Sequence, residues 1–408
     1  MRLTDALALV TPRRRPPAQR ALPRRLSRCH TVGDLQVAAA RRLPRVVLDY
    51  VEGGADDEAT LNANATSWGR HQWRPQVMTD VSDVDTTVRV CGTSWSQPFG
   101  LAPTGYSLLV HPGGESAAAQ AAAEAGIPYV VSNVATMSVT EIARAAQSVT
   151  ADPQVWTQLY LCRDREVSWQ YLARAWAANS RVLLVSVDTA VAGNRVRDLR
   201  NGLTIPPRVS WSTLADIARR PPYWRGVLSG PSFTFANIAG ADGAMTIASM
   251  SDLFDPSLSW TNLAEVRERW PGVMMLKGPV SPDQARQAID HGVDGIYLSN
   301  HGGRQLDRCV SPADLLPAVR RALGPEVPLL CDSGIRRGAD VLTAIALGAD
   351  AVMLGRAYLY GLALGGGAGV SQAIDIIGSE VRRTLQLLGA DSVTQLRAEP
   401  DRFLTDRI

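Results

Sequence analysis

The sequence of 408 residues contains one lysine, few cysteines and no long hydrophobic run. No stretch of about 18 uncharged apolar residues occurs, which excludes a typical membrane-spanning helix. The five cysteines, at positions 29, 91, 162, 309 and 331, are scattered and form no CxxC pair. We therefore expect no zinc or other metal site, no disulfide scaffold, and a reducing compartment, namely the cytoplasm.

All but one of the 42 basic residues are arginine, and the exception is Lys277. Such a bias is typical of codon usage, so a single arginine means little, whereas the one lysine is a candidate functional residue. The net charge is +3, with 46% hydrophobic and 20% charged residues. This composition is ordinary for a globular protein and predicts no nucleic-acid partner.

The first 33 residues differ in composition from the rest of the chain. Segment 12–28 reads PRRRPPAQRALPRRLSR, in which prolines interrupt a helix and arginines repel one another. We predict that residues 1–33 form a solvated, disordered tail; docking to an acidic partner or a membrane surface is the alternative. Residues 34–408 are predicted to form one domain.

From residue 34 onward, short apolar runs typical of buried parallel strands alternate with helical segments. Eight runs are predicted as strands: Pro98–Pro103, Tyr129–Ser132, Val155–Leu161, Val182–Asp188, Val273–Lys277, Gly295–Ser299, Val327–Asp332 and Ala351–Leu354. Serine–proline pairs at 281–282 and 311–312 begin two of the intervening helices, and Gly292 and Gly324 end them. Eight βα units in a chain of this length predict an α/β fold, the (β/α)8 TIM barrel.

The connection after the fourth predicted strand is far longer than a usual βα loop. About seventy residues separate Asp188 from the next predicted strand. We predict that residues 200–258 form a lid-like insertion, because long barrel loops lie on the catalytic face. A partner-docking surface and a simple excursion of the chain are the alternatives.

Polar or ionisable residues follow nearly every predicted strand. In chain order they are Thr104, Ser132, Tyr160, Asp188, Lys277, His301, Asp332 and Arg356. Side chains just beyond the carboxyl ends of barrel strands converge on one site. The sequence therefore predicts an active site built from these strand ends.

The sixth predicted strand is followed by SNHGGRQLD, residues 299–307. Imidazole is a natural general base near neutral pH, so His301 is the candidate base. The planar guanidinium of Arg304 suits a carboxylate, and the two intervening glycines let the backbone approach a small ligand. Asp188 would stabilise a protonated His301 or merely pair with Lys277. Lys277, as a cation at the mouth of the barrel, would either bind an anion or become a nucleophile once its pKa is lowered.

The ends of the last two strands predict an anion site. CDSGIRRG at 331–338 and LGR at 354–356 combine glycines, which expose backbone N–H groups, with arginines. TIM barrels often bind phosphate at this place; a solvated pair formed by Arg336 and Arg337 is the alternative. GGGAG at 365–369 lacks the GxGxxG spacing, so NAD is not expected.

Together these motifs resemble the FMN-dependent 2-hydroxy acid oxidases and dehydrogenases, which include glycolate oxidase, lactate oxidase and mandelate dehydrogenase. The resemblance covers roughly residues 34–395. It rests on DYVEGGADDEATL (49–61), LAPTG (101–105), TQLYL (157–161), VDTAVAGNRVRDLRNG (187–202), LKG, SNHGGRQLD, DSGIRRG and LGRAYL. It implies FMN as the cofactor, oxygen or another electron acceptor, and a homo-oligomer of four or more subunits.

The resemblance also implies roles for single residues. His301 would be the base, Asp188 would stabilise its imidazolium form, and Tyr160 would lie near the substrate hydroxyl. The substrate carboxylate and side chain would contact Tyr50, Arg195, Arg304, Val134 and Ala192. FMN would contact Thr104, Gly105, Ser132, Gln158, Ser186, Lys277, Asp332, Gly334, Arg336, Gly355 and Arg356, with Lys277 at the ring edge that becomes negative on reduction.

Two positions depart from the pattern of glycolate oxidases. Val134 replaces a tryptophan and Ala192 replaces a leucine, so we predict a substrate side chain larger than that of glycolate, either aryl or branched. Two alternatives are open: oxidative maturation of a peptide-derived or natural-product intermediate, as in mycofactocin-pathway relatives, and a Schiff-base aldolase using Lys277. Those relatives replace the arginine of the SNHGG motif, so the retained Arg304 favours a substrate with a free carboxylate.

Overall fold

The computed structural model describes residues 26–202, 211–231, 235–238 and 255–406. Eight parallel strands close into a barrel in which each strand pairs with its neighbour in the sequence and the last pairs with the first. The strands are β1 Phe99–Leu101, β2 Tyr129–Ser132, β3 Val155–Leu159, β4 Val182–Ser186, β5 Val273–Gly278, β6 Gly295–Leu298, β7 Leu329–Cys331 and β8 Ala351–Leu354. All eight overlap the predicted strands, and the predicted TIM barrel is confirmed.

The barrel strands are continuous apolar runs because both of their faces are covered. Every residue of β2, β3 and β4 is buried. One face packs against the surrounding helices, and the other fills the barrel with side chains that include Trp156 and Met275. The interior is therefore a packed core, and a ligand can enter only at an end of the barrel.

Helices follow the strands around the barrel. They span Val32–Arg42, Arg45–Glu52, Ala59–Ser67, Ser107–Val110, Gly114–Glu124, Val139–Gln147, Arg165–Ala177, Val196–Arg200, Trp211–Ala218, Pro221–Ser229, Trp260–Arg269, Pro282–Asp290, Pro312–Leu323, Gly338–Ala346, Arg356–Gly365, Gly367–Leu388, Val393–Ala398 and Pro400–Phe403. The hydroxyls of Ser281 and Ser311 cap two helices as predicted, and Gly324 ends the second with a φ of 74°. Among the described helices, none is both long and apolar enough to cross a membrane.

Two short antiparallel pairs lie outside the barrel. His71–Trp73 pairs with Leu404–Asp406, and Val88–Val90 pairs with Thr93–Trp95. The second pair contributes to the packing inside the barrel, since the ring of Trp95 lies edge-on to that of Trp156 with centroids 5.3 Å apart. It packs in one cluster with Trp156 and Val182, which lie at the amino ends of β3 and β4.

Part of the predicted tail is structured. Residues Leu26–Arg28 form one turn of 3-10 helix in which Leu26 is fully buried. Thr31 and Asp34 then form a reciprocal capping box at the start of the next helix. The described fold thus includes residues 26–33, and the rest of the predicted tail, residues 1–25, lies outside the described residues.

The insertion predicted for residues 200–258 is described in pieces. Its helix Trp211–Ala218 approaches the amino-terminal helices, where Asp216 accepts the backbone N–H of Arg45 at 2.6 Å. In the next helix Tyr223 donates to the carbonyl of Leu109 at 2.9 Å. Residues 203–210, 232–234 and 239–254 lie outside the described residues, so the lid-like role stays a prediction.

Candidate active site

A cavity of about 1390 Å³, including its open mouth, lies at the carboxyl ends of the barrel strands. The predicted site residues on its wall are Tyr50, Thr104, Gly105, Val134, Tyr160, Ala192, Arg195, Lys277, His301, Arg304, Asp332, Gly334, Arg336, Gly355 and Arg356. The other four, Ser132, Gln158, Ser186 and Asp188, are not part of the wall.

His301 lies between a carboxylate and a phenol. Its Nδ1 is 3.1 Å from Oδ2 of Asp188, and its Nε2 is 2.8 Å from Oη of Tyr160. A carboxylate next to Nδ1 favours the tautomer that carries the proton there. Nε2 then accepts a hydrogen bond from the Tyr160 hydroxyl. The pKa of that phenol is raised, mainly by burial, so it stays a donor.

The loop that carries His301 has an unusual backbone. His301, Gly302 and Gly303 all lie in the left-handed region, with φ angles of 59°, 64° and 77°. Histidine is one of the few side chains that occur in this region with some frequency. The preceding Asn300 and the helix residue Asn64 exchange two hydrogen bonds between their buried amides, at 2.7 and 2.8 Å. This pair holds the strained turn in place.

Asp188 pairs with His301 and not with Lys277. Burial acts to raise the pKa of Asp188, but the imidazole of His301 and then the ammonium of Lys277 outweigh this effect. The pKa of Asp188 is therefore below its ordinary value, and the carboxylate is charged at neutral pH. This geometry does not agree with the alternative in which Asp188 forms an ion pair with Lys277 alone.

Lys277 lies on the cavity wall and is almost completely buried. Its Nζ donates to Oγ of Ser299 at 2.9 Å, and the nearest carboxylate oxygen, Oδ2 of Asp332, is 4.0 Å away. The carboxylate of Asp332 in turn accepts hydrogen bonds from Tyr297 and Ser333, at 2.8 and 2.7 Å. The ammonium group is thus held with only a distant counterion, which favours an anionic ligand.

Two arginines flank the ring of Tyr50. The guanidinium carbon of Arg304 lies 4.9 Å from the ring centroid, and that of Arg195 lies 5.7 Å away. Nη1 of Arg304 donates to the carbonyls of Tyr50 and Gly53 at 2.6 and 2.9 Å, and Arg195 forms an ion pair with Asp198 at 3.3 Å. Burial, and then the neighbouring Arg195, lower the pKa of Arg304. This pair of cations suits a carboxylate.

Ser132, Gln158 and Ser186 form a hydrogen-bonded row across the ends of β2, β3 and β4. Ser132 donates to Oε1 of Gln158 at 2.8 Å, and Nε2 of Gln158 donates to Ser186 at 3.0 Å. All three are buried. The row satisfies its own polar groups, so it supports the strand ends.

Arg356 and Arg336 provide positive charge at the ends of β7 and β8. The nitrogens of Arg356 donate to the carbonyls of Val51, Gly302 and Gly53 at 2.8, 2.9 and 2.9 Å. Burial, together with Arg304 and Arg336, lowers the pKa of Arg356 to about 9. Arg337, which follows Arg336 in the sequence, is instead half-exposed and forms an ion pair with Glu380. Arg336 and Arg337 therefore lie in different environments.

The glycines of this region fit a bound phosphate group. Gly355 lines the cavity at the amino end of helix Arg356–Gly365, and a Cβ added to it would meet no atom within 4 Å. Gly334 has a φ of 90°, and a Cβ there would come within 2.0 Å of the carbonyl oxygen of Asn64. Free space next to a helix amino end, with Arg336 and Arg356 beside it, matches the needs of a phosphate.

Thr104 and Gly105 follow β1 on the same wall. The hydroxyl of Thr104 lies 2.5 Å from that of Tyr358. A Cβ on Gly105 would come within 2.8 Å of Cγ2 of Val134, so glycine is required for the close packing of the loops after β1 and β2. These two loops form one side of the cavity.

Asp307 and Gln305 are among the residues of the SNHGGRQLD motif for which no role was predicted. Asp307 accepts the backbone N–H of Thr60 at 2.8 Å and caps the amino end of helix Ala59–Ser67. Gln305 forms hydrogen bonds with the loop after β4. The only sequence signal for either residue is its position within the motif.

Comparison with known proteins agrees with this geometry. Residues 39–401 match the family model of the FMN-dependent dehydrogenases. The chain belongs to this family. The L-lactate dehydrogenase of Caulobacter sp. (strain K31) is 38% identical over 369 residues, which are 89% of this chain and 96% of the relative. The match confirms the predicted resemblance, the enzyme class and FMN as the cofactor.

Solved structures with the same fold are also similar in sequence. The structure of the monotopic membrane protein (S)-mandelate dehydrogenase has a TM-score of 0.88 and 36% identity, covering 93% of this chain and 100% of that one. The structure of mandelate oxidase with (S)-2-phenylpropionate has a TM-score of 0.77 and 33% identity, covering 93% and 99%. The likeness extends over nearly the whole chain in both cases.

Proposed function

We propose that this enzyme oxidises a 2-hydroxy acid to the 2-oxo acid, with His301 as the base. The observation that carries the proposal is the orientation of the His301 ring. Nδ1 is turned to Asp188, and Nε2 is turned to Tyr160 on the cavity wall. An imidazole that donates from Nδ1 can accept a proton at Nε2, as a general base must.

His301 would take the proton that leaves either Cα or the hydroxyl group of the substrate, and both routes are open. The resulting imidazolium lies next to Asp188, whose lowered pKa keeps it charged. The Tyr160 hydroxyl would donate to the substrate hydroxyl oxygen once a substrate displaces it from Nε2. His301 thus accepts the proton, Asp188 stabilises the resulting positive charge, and Tyr160 holds the substrate hydroxyl oxygen.

The substrate carboxylate would bind to Arg304 and Arg195, with a further hydrogen bond from Tyr50. Within the Arg304 guanidinium group, Nη1 donates to protein carbonyls, whereas the other nitrogens have no acceptor among the described residues. Those nitrogens are therefore left for a ligand. Burial raises the pKa of Tyr50, so its hydroxyl remains a donor. These contacts with the carboxylate would fix the Cα–H and hydroxyl groups of the substrate relative to His301.

FMN, when bound, supplies the acceptor for the two electrons that leave the substrate. Lys277 would hold the ring edge that gains negative charge, while Thr104 and Gly105 contact the ring from the loop after β1. Ser132, Gln158 and Ser186, which are linked by hydrogen bonds at the ends of β2, β3 and β4, would contact the ring from the barrel side. Asp332 would bind the ribityl chain, and Gly334, Arg336, Gly355 and Arg356 the phosphate.

The substrate side chain is proposed to be larger than that of glycolate. Val134 and Ala192 are both on the cavity wall. Next to them, the ring of Tyr106 lies edge-on to those of Tyr50 and Phe235, with centroids 5.4 and 5.3 Å apart. An apolar wall of this kind suits an aryl or branched side chain. The relatives named L-lactate dehydrogenase and (S)-mandelate dehydrogenase support this direction.

A substrate panel tests the proposal. We expect (S)-mandelate or a branched 2-hydroxy acid to give a higher kcat/KM than glycolate. Ala192→Leu fills the pocket and should reduce activity with mandelate more than with glycolate. If glycolate is the best substrate of the unmodified enzyme, the large-pocket proposal is wrong.

The two alternative functions receive less support. Family membership does not favour a Schiff-base aldolase, and Lys277 lines the cavity together with the residues that we propose for the FMN site. Maturation of a peptide-derived intermediate does not require a free carboxylate, whereas Arg304 and Arg195 converge where a carboxylate fits. The electron acceptor, oxygen or another oxidant, stays open in this proposal.

We also propose a cytoplasmic homo-oligomer. All five cysteines are free thiols in the structure, which supports a reducing compartment. Light scattering of the purified enzyme measures the number of subunits, and cell fractionation measures the location. A monomer, or a protein recovered with the membrane fraction, would contradict this part of the proposal.

A further inference from the structure

The side-chain amide of Gln305 joins two active-site loops. Its Nε2 donates to the carbonyls of Asp188 and Val191 at 3.1 and 3.0 Å, and its Oε1 accepts the backbone N–H of Gly193 at 3.2 Å. Both amide hydrogens and the oxygen thus bind one segment, residues 188–193. We call these three hydrogen bonds the Gln305 clamp and residues 188–193 the clamped segment. Gln305 itself belongs to the loop after β6, which carries His301.

The two loops touch at their backbones. A Cβ on Gly193 would come within 2.2 Å of the carbonyl oxygen of Arg304, so only glycine allows this approach. Val191, within the clamped segment, has a side chain that is 66% exposed. Residues 190–192 are all exposed, whereas Thr189 is buried, so hydrogen bonds and not burial determine the position of the outer part of the segment.

The clamped segment carries the partner of the base. The backbone of Asp188 is fixed by Gln305 from the loop after β6, and its carboxylate meets His301 on that same loop. Ala192, the residue after Val191, lines the cavity. A shift of this segment would change the distance between Asp188 and His301.

We propose that Gln305 is a positioning residue that holds Asp188 against His301. The inference rests on the proposed function, in which Asp188 stabilises the imidazolium. The far end of the segment is anchored independently, because Asn194 and Asp56 form two hydrogen bonds at 2.7 and 2.9 Å. Removing the Gln305 amide should therefore displace the segment without unfolding the loop.

A double-mutant cycle tests the clamp. The variants are Gln305→Ala, Asp188→Asn and the two combined, measured as the rate of flavin reduction by a 2-hydroxy acid under anaerobic conditions. We expect Gln305→Ala to lower the rate about tenfold to a hundredfold, as small misplacements of catalytic groups do. In the Asp188→Asn background the same change should have little further effect, because a positioning residue cannot act without the group it positions.

The outcomes separate the clamp from the proposed function. If Asp188→Asn slows the reaction and the two losses multiply, Gln305 has a merely structural role and the inference is overturned. If Asp188→Asn has no effect, the proposed role of Asp188 fails, and the inference fails with it. The control is Gln170→Ala, since that exposed amide donates to Glu166 one helical turn away, its one hydrogen-bond partner in the described part of the chain, and the change should leave the rate unchanged.

A charge variant gives a second readout. Gln305→Glu retains an acceptor for Gly193 but places a carboxylate against the carbonyls of Asp188 and Val191. We expect it to be slower than Gln305→Ala at neutral pH and to approach the alanine variant as the pH falls, because a protonated carboxyl donates one hydrogen bond. A ratio of the two rates that is constant with pH would contradict the clamp.

Discussion

Nδ1 of His301 lies 3.1 Å from the carboxylate of Asp188, which fixes the tautomer of the ring. Asp188→Asn places an amide donor or a neutral oxygen at this point and removes the charge that stabilises the imidazolium. We expect kcat/KM to fall about a hundredfold to ten-thousandfold while FMN remains bound. Anaerobic flavin reduction measures this loss. Asp283→Asn, at a side chain 91% exposed, should have no effect.

Arg336 and Arg337 are adjacent in sequence, but only Arg336 lines the cavity. If Arg336 binds the phosphate of FMN, Arg336→Gln should weaken FMN binding about tenfold to a hundredfold, the usual effect of losing a charge-assisted hydrogen bond. Riboflavin, which lacks the phosphate, should bind equally to both forms. Arg337→Gln is the matched control. Equal losses for FMN and riboflavin would place the phosphate elsewhere.

Glu115 is a carboxyl group buried without an ion-pair partner among the described residues. It accepts the backbone N–H groups of Ser107 and Thr136 at 3.1 and 2.9 Å, and so joins the loops after β1 and β2. Burial raises its pKa in the folded state. Its contribution to stability is therefore fully present below the ordinary carboxyl pKa near 4 and is lost as the pH rises through the folded value.

Glu115→Gln removes this titration and keeps the acceptor. We expect the free energy of unfolding of the variant, relative to the unmodified protein, to increase between pH 4.5 and pH 8. Denaturant unfolding at the two pH values measures the difference. Glu326→Gln, at an exposed position, should show no such trend, and a pH-independent difference for Glu115→Gln would show that the buried carboxyl is charged throughout.

Asn237 connects the insertion to the barrel. Its amide accepts the N–H of Val139 at 2.8 Å and donates to the carbonyl of Met137 at 3.0 Å, which places Phe235 against Tyr106. We expect Asn237→Ala to raise the KM of an aryl substrate several-fold and to lower stability by about 1–3 kcal/mol. FMN affinity should not change. An unchanged KM would show that Phe235 does not shape the substrate pocket; the exposed Asn62→Ala is the control.

The sequence predicted the barrel because its strands are buried on both faces and its helices carry clear caps. Strand ends predicted part of the cavity wall, because side chains beyond the carboxyl ends of barrel strands converge. Other wall residues, such as Tyr50 and Arg195, were predicted only from the family resemblance. The resemblance implies that Ser132, Gln158 and Ser186 touch FMN; all three are buried at the strand ends, outside the cavity wall, and this contact stays a prediction.

Contacts between loops could not be predicted from the sequence. The clamp by Gln305 and the anchor at Asn237 depend on which segments meet across gaps of about one hundred residues, and neither residue differs locally from a surface amide. The burial of Leu26, inside the predicted tail, was missed for a similar reason, because the arginines and prolines around that residue obscure a single buried leucine.

The most direct test of the proposed mechanism is anaerobic flavin reduction by (S)-mandelate in the unmodified enzyme and in His301→Gln. We expect the visible flavin absorption of the unmodified enzyme to bleach. The variant should keep its FMN but react about a thousandfold more slowly, since it lacks the base. Bleaching at the same rate in the variant would contradict the role of His301. An unmodified, FMN-loaded enzyme that no 2-hydroxy acid can reduce would contradict the proposed reaction.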